Sequence, residues 1–358
     1  MYSDTLKHNT ETKVSYFLGS TDIISDSNYI YCENGWYDHN KDISQFNKNA
    51  YLKNKEQILK GDSLFYDRNS GIGKAYKNVT FKDSLQDVLL LGNYGFYNEK
   101  TGFSFMTDSA LFIQVSEKSD SMFMHADTLR SLKDSIFENE EYNVFRIIQA
   151  YNHVKTYKPD FQSKCDSLVY NLKDSVIEMH TKPVMWSDSN QLSADFILIQ
   201  TFKNEVERID MTNNAFIISQ SDSLRFNQIF GKEMIAFIDE RELHQINVYS
   251  EGKSIYFIRD DYQKLIGVNF IECTDMEIYM KDSKVDKIWF FETPKGKIHP
   301  PLSLNISDTL LPNFKWDIDY RPENKNEVFI WKKESNILPI EDVENDSESE
   351  EVQDESEE

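Results

Sequence analysis

The sequence predicts an all-β fold, either an antiparallel jelly roll or a groove-shaped β-solenoid built from repeated short strands. The first observation is a turn-then-strand pattern that recurs along the chain, with its clearest copy at Gly61–Asp67. The second is the two-residue alternation of apolar side chains, which is the period of a half-buried strand. The third is composition, because 24 Phe, 19 Tyr and 5 Trp accompany only 12 Gly and 8 Pro.

The repeated motif begins with a polar bend and continues into an alternating strand. Asp and Ser side chains hydrogen-bond to backbone groups two or three residues away, which stabilises a bend. We therefore interpret each copy as a turn followed by a strand. Besides Gly61–Asp67, the copies are Asp166–Tyr170 and Asp222–Phe226, with looser versions at Asp4–Leu6, Asp108–Phe112 and Asp127–Leu129.

In the first half, turn signals separate the predicted strands. The dipeptide Asn34-Gly35 predicts a hairpin turn, and Asp67–Gly71 is rich in residues that tolerate positive φ. The predicted strands are Tyr16–Gly19, Asn28–Glu33, Ser63–Tyr66, Ala75–Phe81, Val88–Leu91, Gly92–Tyr97 and Phe103–Thr107.

The second half repeats this pattern with more charged residues. Asn213-Asn214 predicts a turn, and Glu140–Gln149 allows a short helix. The predicted strands are Ser175–Met179, Glu207–Thr212, Ala215–Ser219, Glu242–Tyr249 and Asp286–Phe290.

Three regions are expected along the chain. Residues 1–294 carry the β-repeats, with two stacked units and a break near 140–160 as one option. Residues 295–338 form a proline-containing C-terminal extension that either wraps the sheet or docks elsewhere. Residues 339–358 form a disordered acidic tail, since Glu341–Glu358 holds eleven acidic residues and no Lys or Arg.

Charge excludes one class of partner. The net charge is −22, and the tail accounts for only half of it. A body this acidic argues against nucleic acid, which needs a basic face.

Neither catalysis nor a cofactor is indicated by the polar residues. The seven His are scattered without metal-binding spacing, so we expect no metal and no cofactor. Numerous Asp-Ser pairs fit turns better than a nucleophile. Cys32, Cys165 and Cys273 lie far apart, which favours three buried thiols and leaves open one disulfide plus one thiol. We therefore expect no enzyme.

Membrane segments and the N-terminus bear on the cellular compartment of the protein. No apolar run approaches the ~20 residues of a spanning helix. Met1 is not followed by a signal peptide. Ser3–Asn9 already has the shape of a repeat, so we expect that the natural N-terminus is missing.

The series of motifs resembles the OstA-like (organic solvent tolerance) family, which includes LptA and the N-terminal domain of LptD. The segments that carry the likeness are Gly61–Asp67, Gly71–Ala75, Lys77–Val79 and Gly92–Tyr97, with later copies at Asp166–Tyr170, Leu192–Asp195 and Asp222–Phe226. The sequence is most similar to the long OstA-like proteins of Bacteroidota, over roughly residues 1–290.

The resemblance implies an open, V-shaped jelly roll with an apolar groove between its faces. It implies a non-catalytic protein of the periplasm, or associated with the outer membrane, that shields lipopolysaccharide or a similar amphipathic lipid. It also implies that bridge proteins of the Lpt type, or further copies of this chain, add to its strand edges.

The lipid-facing candidates are strand residues whose alternation places them on one face: Leu64, Tyr66, Val79, Phe81, Phe103, Phe105, Ile209 and Met211. Sequence alone leaves each of them as plain core equally well, because a closed core and a lipid slot need the same residue types. Basic residues that interleave with the strands either meet lipid phosphates or stand at solvated edges; they are Arg130, Arg146, Lys155, Arg208, Arg225 and Lys287. Two other functions stay open: a β-scaffold that binds proteins by its edges, and a β-solenoid carbohydrate enzyme with two converging acids.

Overall fold

The computed structural model confirms an antiparallel all-β fold. It describes residues 1–24, 29–54, 57–84, 87–115, 121–138, 141–203, 205–239, 242–281, 284–301 and 303–333. Within those residues there are 25 strands, and the helices are three short 3₁₀ turns at Ile306–Thr309, Ile318–Tyr320 and Glu327–Phe329. None of the described helices has the length and apolar character needed to cross a membrane.

The strands follow one another mostly as hairpins. The first seven are β1 (Tyr2–Asn9), β2 (Val14–Ile24), β3 (Tyr29–Asp38), β4 (Ile43–Lys53), β5 (Gln57–Asp67), β6 (Ile72–Asp83) and β7 (Val88–Asn98). The next six are β8 (Phe103–Thr107), β9 (Leu111–Gln114), β10 (Met122–His125), β11 (Thr128–Glu138), β12 (Glu141–Lys158) and β13 (Phe161–Asn171). Then come β14 (Val176–His180), β15 (Val184–Ser187), β16 (Asn190–Ser193), β17 (Phe196–Phe202), β18 (Glu205–Gln220) and β19 (Phe226–Asp239). The last six are β20 (Glu242–Tyr249), β21 (Gly252–Arg259), β22 (Leu265–Cys273), β23 (Asp275–Lys281), β24 (Lys284–Phe291) and β25 (Lys295–His299).

Long strands that bend in the middle create two layers from one sheet. In β5, for example, pairing with β6 runs from Gln57 to Lys60, shifts register, and resumes at Ser63. Other strands are fully interrupted at the bend, so that β7 pairs with β8 over one half and with β9 over the other. We call the layer that contains β8 and the half of β7 paired with it the first layer. The layer that contains β9 and the other half of β7 is the second layer. Their inner faces meet in one continuous hydrophobic cluster.

The bends have a repeated local structure. On alternate strands two consecutive residues adopt positive φ, as at Lys48-Asn49, Lys77-Asn78 and Asn213-Asn214. The neighbouring strand supplies a carboxylate to this bend: Asn78 Nδ2 donates to Asp62 at 3.1 Å, and Asn214 Nδ2 donates to Asp195 at 3.0 Å. Asn tolerates the left-handed conformation better than most residues, which explains its use here.

Most copies of the sequence motif lie at these bends. Asp62, Asp127 and Asp166 each lie at the bend of their strand or between its two halves, so the motif bends a strand in its middle and does not precede it. Many of the short strands predicted are therefore halves of longer, bent ones. Asp222 differs, because its carboxylate accepts from the N–H groups of Leu224 and Arg225 in the β18–β19 turn.

Three sequence predictions of local structure are wrong. Asn34-Gly35 lies inside β3, where a Cβ on Gly35 would meet the Gln45 carbonyl oxygen at 2.3 Å, so glycine serves close strand packing and not a hairpin. Asn213-Asn214 is likewise a bend inside β18. The helix considered at Glu140–Gln149 is part of β12 in its described portion, because pairing with β11 and β13 overrides local propensity.

The three cysteines occupy equivalent positions at the bends. Cys32, Cys165 and Cys273 are opposite Thr21, Val154 and Gly252, as Gly61 is opposite Ala50. All three are free thiols, and Cys32 and Cys165 are buried. Cysteine serves here as a small apolar residue where two layers approach closely.

The C-terminal extension wraps the sheet. After β25 pairs with β22, residues 303–333, here called the strap, run back across the outer face of the second layer. Gln228 and Gln191 each bind the strap twice: Gln228 Nε2 donates to Thr309 O and its Oε1 accepts from Leu311 N, and Gln191 repeats this with Lys315 and Asp317. Further along, Lys155 Nζ donates to the carbonyl of Ile330.

Two of the predicted boundaries are the break near residues 140–160 and the start of the acidic tail at residue 339. Strand hydrogen bonding passes through β11, β12 and β13 across the region of residues 140–160. The predicted disordered tail, residues 339–358, lies outside the described residues.

Candidate functional site

An apolar ladder of directly opposed residues crosses the inner face of the first layer. It contains large and small side chains in turn, for instance Leu64 opposite Ala75, Gly95 opposite Met106 and Leu129 opposite Ala150. We call it the central ladder. Its members are Phe17, Gly35, Phe46, Leu64, Ala75, Gly95, Met106, Leu129, Ala150, Leu168, Met179, Ile197, Met211, Met234, Val248, Met276 and Phe290.

The second layer carries a matching inner ladder whose burial changes along the chain. From β2 to β7 its members are only half-buried, namely Ile23, Ile30, Leu52, Leu59, Phe81 and Leu90. From β9 to β18 they are buried, namely Phe112, Met124, Thr156, Ser163, Met185, Leu192 and Ile217. The inner ladder of the second layer is therefore buried in the middle of the chain and partly accessible to water in the part formed by β2–β7.

A third ladder lies nearer the hairpin turns of the first layer, and we call it the rim ladder. In the N-terminal part it is rich in hydroxyl groups: Ser15, Tyr37, Ser44, Tyr66, Gly73, Tyr97, Ser104 and Ser131. From β12 onward it is mainly aliphatic: Ile148, Tyr170, Ile177, Ile199, Ile209, Ala236, Ile246, Ile278 and Ile288. The same structural position thus changes from amphipathic to fully apolar along the chain.

Acidic residues in the hairpin turns anchor two tyrosines of the rim ladder. Tyr66 donates its hydroxyl proton to Glu99 Oε2 at 2.5 Å, and Tyr37 donates to Asp42. Burial and then the hydrogen bond to Glu99 raise the pKa of Tyr66 to about 12. The rings therefore present neutral, amphipathic walls at the edge of the inner face.

The structure divides the eight predicted lipid-facing residues between two faces. Six lie on the inner face: Leu64, Val79, Ile209 and Met211 are buried in the core, while Tyr66 and Phe81 are half-buried. Phe103 and Phe105 alternate with the inner-facing Met106 and lie on the outer face of the first layer. There they pack with Phe96, whose ring is stacked on Phe105 at 5.2 Å. The eight candidates therefore do not share one surface.

No metal centre is visible among the residues that the structure describes, because no three His, Cys, Asp or Glu side chains converge there. A surface depression of about 430 Å³ lies at the bend of β2–β4, lined by Gly19, Glu33 and Lys48 among others. It is separate from the inner face.

Comparison with known proteins assigns the N-terminal part of the chain. A family model described as OstA-like protein matches residues 1–120. The match covers β1–β9, which include the half-buried stretch of the inner ladder. It confirms the resemblance for residues 1–120, out of the roughly 290 over which the motifs indicated it.

The comparison with solved structures gave a partial alignment. The crystal structure of LptH, the LptA-homologous periplasmic component of the lipopolysaccharide transport device from Pseudomonas aeruginosa, is 12% identical, with a TM-score of 0.30. The alignment covers 39% of this chain and 94% of LptH. A likeness of this size does not by itself establish a shared arrangement. A comparison with curated proteins gave no match.

Sequence reasoning missed the polar face beneath the strap. Lys155, Gln162, Lys164, Gln191 and Gln228 are almost fully buried there, although such residues are mostly exposed in proteins. Lys164 Nζ lies 3.4 Å from Asp317 in the strap. Two features of the sequence could have predicted this face. Successive strands carry a polar residue at the position that points outward, and the proline-containing C-terminal segment has backbone N–H and C=O groups that need partners.

Proposed function

We propose that this chain binds the acyl chains of an amphipathic lipid, lipopolysaccharide by its family resemblance, and passes that lipid on without chemical change. One observation carries the proposal: the inner ladder of the second layer is apolar and half-buried throughout β2–β7, within the OstA-like part. An open apolar face of this length accommodates an alkyl chain at ~25 cal/mol per Å² removed from water.

The arrangement of polarity fits such a lipid. The inner ladder of the second layer and the central ladder supply aliphatic and aromatic contacts. The rim ladder adds Ser and Tyr hydroxyl groups in the N-terminal part, where a lipid would change from acyl chain to polar head. Transfer takes place in the periplasm, and neighbouring bridge proteins or copies of this chain extend the face by pairing with its edge strands.

Adjacent residues on the two faces of β7 provide a matched test. Leu90 is half-buried on the inner face, and Leu89 is half-buried on the outer face. We expect Leu90→Asp to abolish retention of lipid A by the purified full chain, and Leu89→Asp to retain it. Mass spectrometry of extracted lipid measures both, with circular dichroism as the check on folding.

Photo-crosslinking locates the lipid directly. With p-benzoylphenylalanine at position 59 or 90, lipid A should be captured, whereas position 65 or 96 on the outer face should capture none. Equal capture from the two faces, or none from the inner face of a folded protein, would contradict the proposal.

The section between β9 and β18, where the inner ladder of the second layer is buried, favours a second function, that of a protein-binding scaffold. Between β9 and β18 the inner ladder of the second layer is packed shut, and the strap covers the outer face. This section is suited to a scaffold that holds protein partners by its edges. A folded wild type that retains no lipid, yet is crosslinked to other proteins from its strand edges, would favour the scaffold over the lipid carrier.

A further inference from the structure

The hairpin of β11 and β12 extends beyond the sheet. β8 pairs with β11 only over Thr128–Ser131, and β13 pairs with β12 only from Ile147 onward. Residues 133–138 and 141–146, here called the arm, therefore form a two-stranded ribbon that has no neighbouring strands in the described sheet. An isolated ribbon of this kind is marginally stable in water, so it gains from a bound partner.

One side of the arm continues the inner face. Ser131 and Ile148 belong to the rim ladder, and the two-residue period carries that orientation to residues 133, 135 and 137 and to 142, 144 and 146. Phe137, Tyr142 and Val144 lie on this side and are 60%, 72% and 52% exposed. The rings of Phe137 and Tyr142 contact each other at 4.9 Å between centroids. The side of the arm that continues the inner face thus carries exposed apolar side chains at its outer end.

Two cations face each other on the same side of the arm. Lys133 and Arg146 are directly opposite in the strand pairing. Like charges in this position destabilise a ribbon. Arg146 donates to the hydroxyl of Ser131 at 3.1 Å. In a chain of net charge −22, a cation pair beside an apolar patch is a site for an anion.

We propose that the arm binds the phosphorylated head of an anionic amphipathic lipid. Lys133 and Arg146 hold the phosphate, for which the planar guanidinium offers paired donors. Phe137, Tyr142 and Val144 cover the apolar part next to it, and the rest of the lipid continues onto the inner face. The assignment rests on the proposed lipid-binding function, and it adds the site that selects a charged head group.

The test compares two probes on the full chain: diphosphorylated lipid A, and the same lipid A after removal of both phosphates. The wild type should bind the diphosphorylated form at least tenfold more tightly, because hydrogen bonds to charged groups strengthen binding by about that factor or more. Lys133→Gln/Arg146→Gln should lose that preference and leave the affinity for the dephosphorylated form unchanged. Lys60→Gln/Lys82→Gln, which removes equal charge from the exposed outer face of the second layer, should keep the preference.

Crosslinking from position 137 separates the possible outcomes. Capture of lipid A there supports the proposal. Capture of protein alone would make the arm a protein-docking element and overturn it. Lipid captured from position 90 but not from position 137, or a preference kept by the double variant, would overturn the arm site while leaving the proposed function intact. A wild type that binds neither probe would overturn both.

Discussion

The strands β1–β7 and the strands from β12 to β18 share one architecture and differ in what covers them. Both parts consist of bent antiparallel strands with inner ladders in register. In the N-terminal part, the rim ladder carries Ser and Tyr and the inner ladder of the second layer is half-buried. In the C-terminal part, the rim ladder is aliphatic and the strap covers much of the outer second layer. One backbone arrangement therefore produces either an open face or a closed core, according to the side chains that line it.

The largest expected effect comes from truncating the closed part. Ile199, in the rim ladder, is 0% exposed, whereas Leu59 is half-buried in the open part. Ile199→Ala should lower the free energy of unfolding by about 2–5 kcal/mol, and Leu59→Ala by about 1 kcal/mol, because only the former leaves a full cavity. Urea unfolding of the full chain measures the difference. Equal losses would mean that the open part is packed as tightly as the closed one.

A pH effect should mark the strap-covered face. Burial, and then the nearby Lys333 and Lys164, lower the pKa of Lys155 to about 8. The unfolded lysine titrates near 10.5. Between these values the unfolded Lys155 side chain binds more protons than the folded one, so the contribution of this lysine to stability should rise with pH from about 8 to 10.5, by up to about 3 kcal/mol. Lys155→Met should remove this rise in thermal unfolding, and Lys82→Met on the uncovered part of the same layer should retain it. An unchanged dependence of stability on pH in Lys155→Met would show that burial beneath the strap does not lower the pKa of this lysine.

Removing a contact to the strap should lower the free energy of unfolding by a somewhat smaller amount. Gln191→Leu leaves Lys315 O and Asp317 N without their partner, at about 1–3 kcal/mol. Limited proteolysis should then cleave within the strap faster than in the wild type. Gln45→Leu, on an outer strand position far from the strap contacts, should leave the cleavage rate unchanged. Cleavage accelerated equally in both variants would indicate general destabilisation.

The smallest effect is expected in the hydroxyl-rich part of the rim ladder. Ser44 is buried but donates only a long, 3.4 Å hydrogen bond to Tyr66 O. Ser44→Ala should change the free energy of unfolding by less than about 1 kcal/mol. A loss as large as that of Ile199→Ala would contradict the view that this end of the ladder contributes little packing.

The sequence predicted where the chain turns and where apolar side chains alternate. It did not predict where the same residues lie in the tertiary structure. The turn at Asp67–Gly71 is present, with Asp67 accepting from the N–H groups of Asn69 and Ser70. Asp62 and Asp222 carry the same Asp-Ser-Leu motif, yet one lies at a mid-strand bend and the other in a hairpin. The motif fixes only a local hydrogen bond, whereas the neighbouring strand decides whether pairing resumes beyond it.

By itself, the sequence determined an antiparallel, bend-rich β fold, because side-chain period and local capping are short-range properties. Only the tertiary structure separated Phe103 and Phe105 from Leu64 and Val79, since both faces of the first layer carry apolar residues. It also decided where the inner face is open. Leu59 and Ile199 are equally apolar in the sequence, and their exposure depends on how closely the opposite layer approaches them.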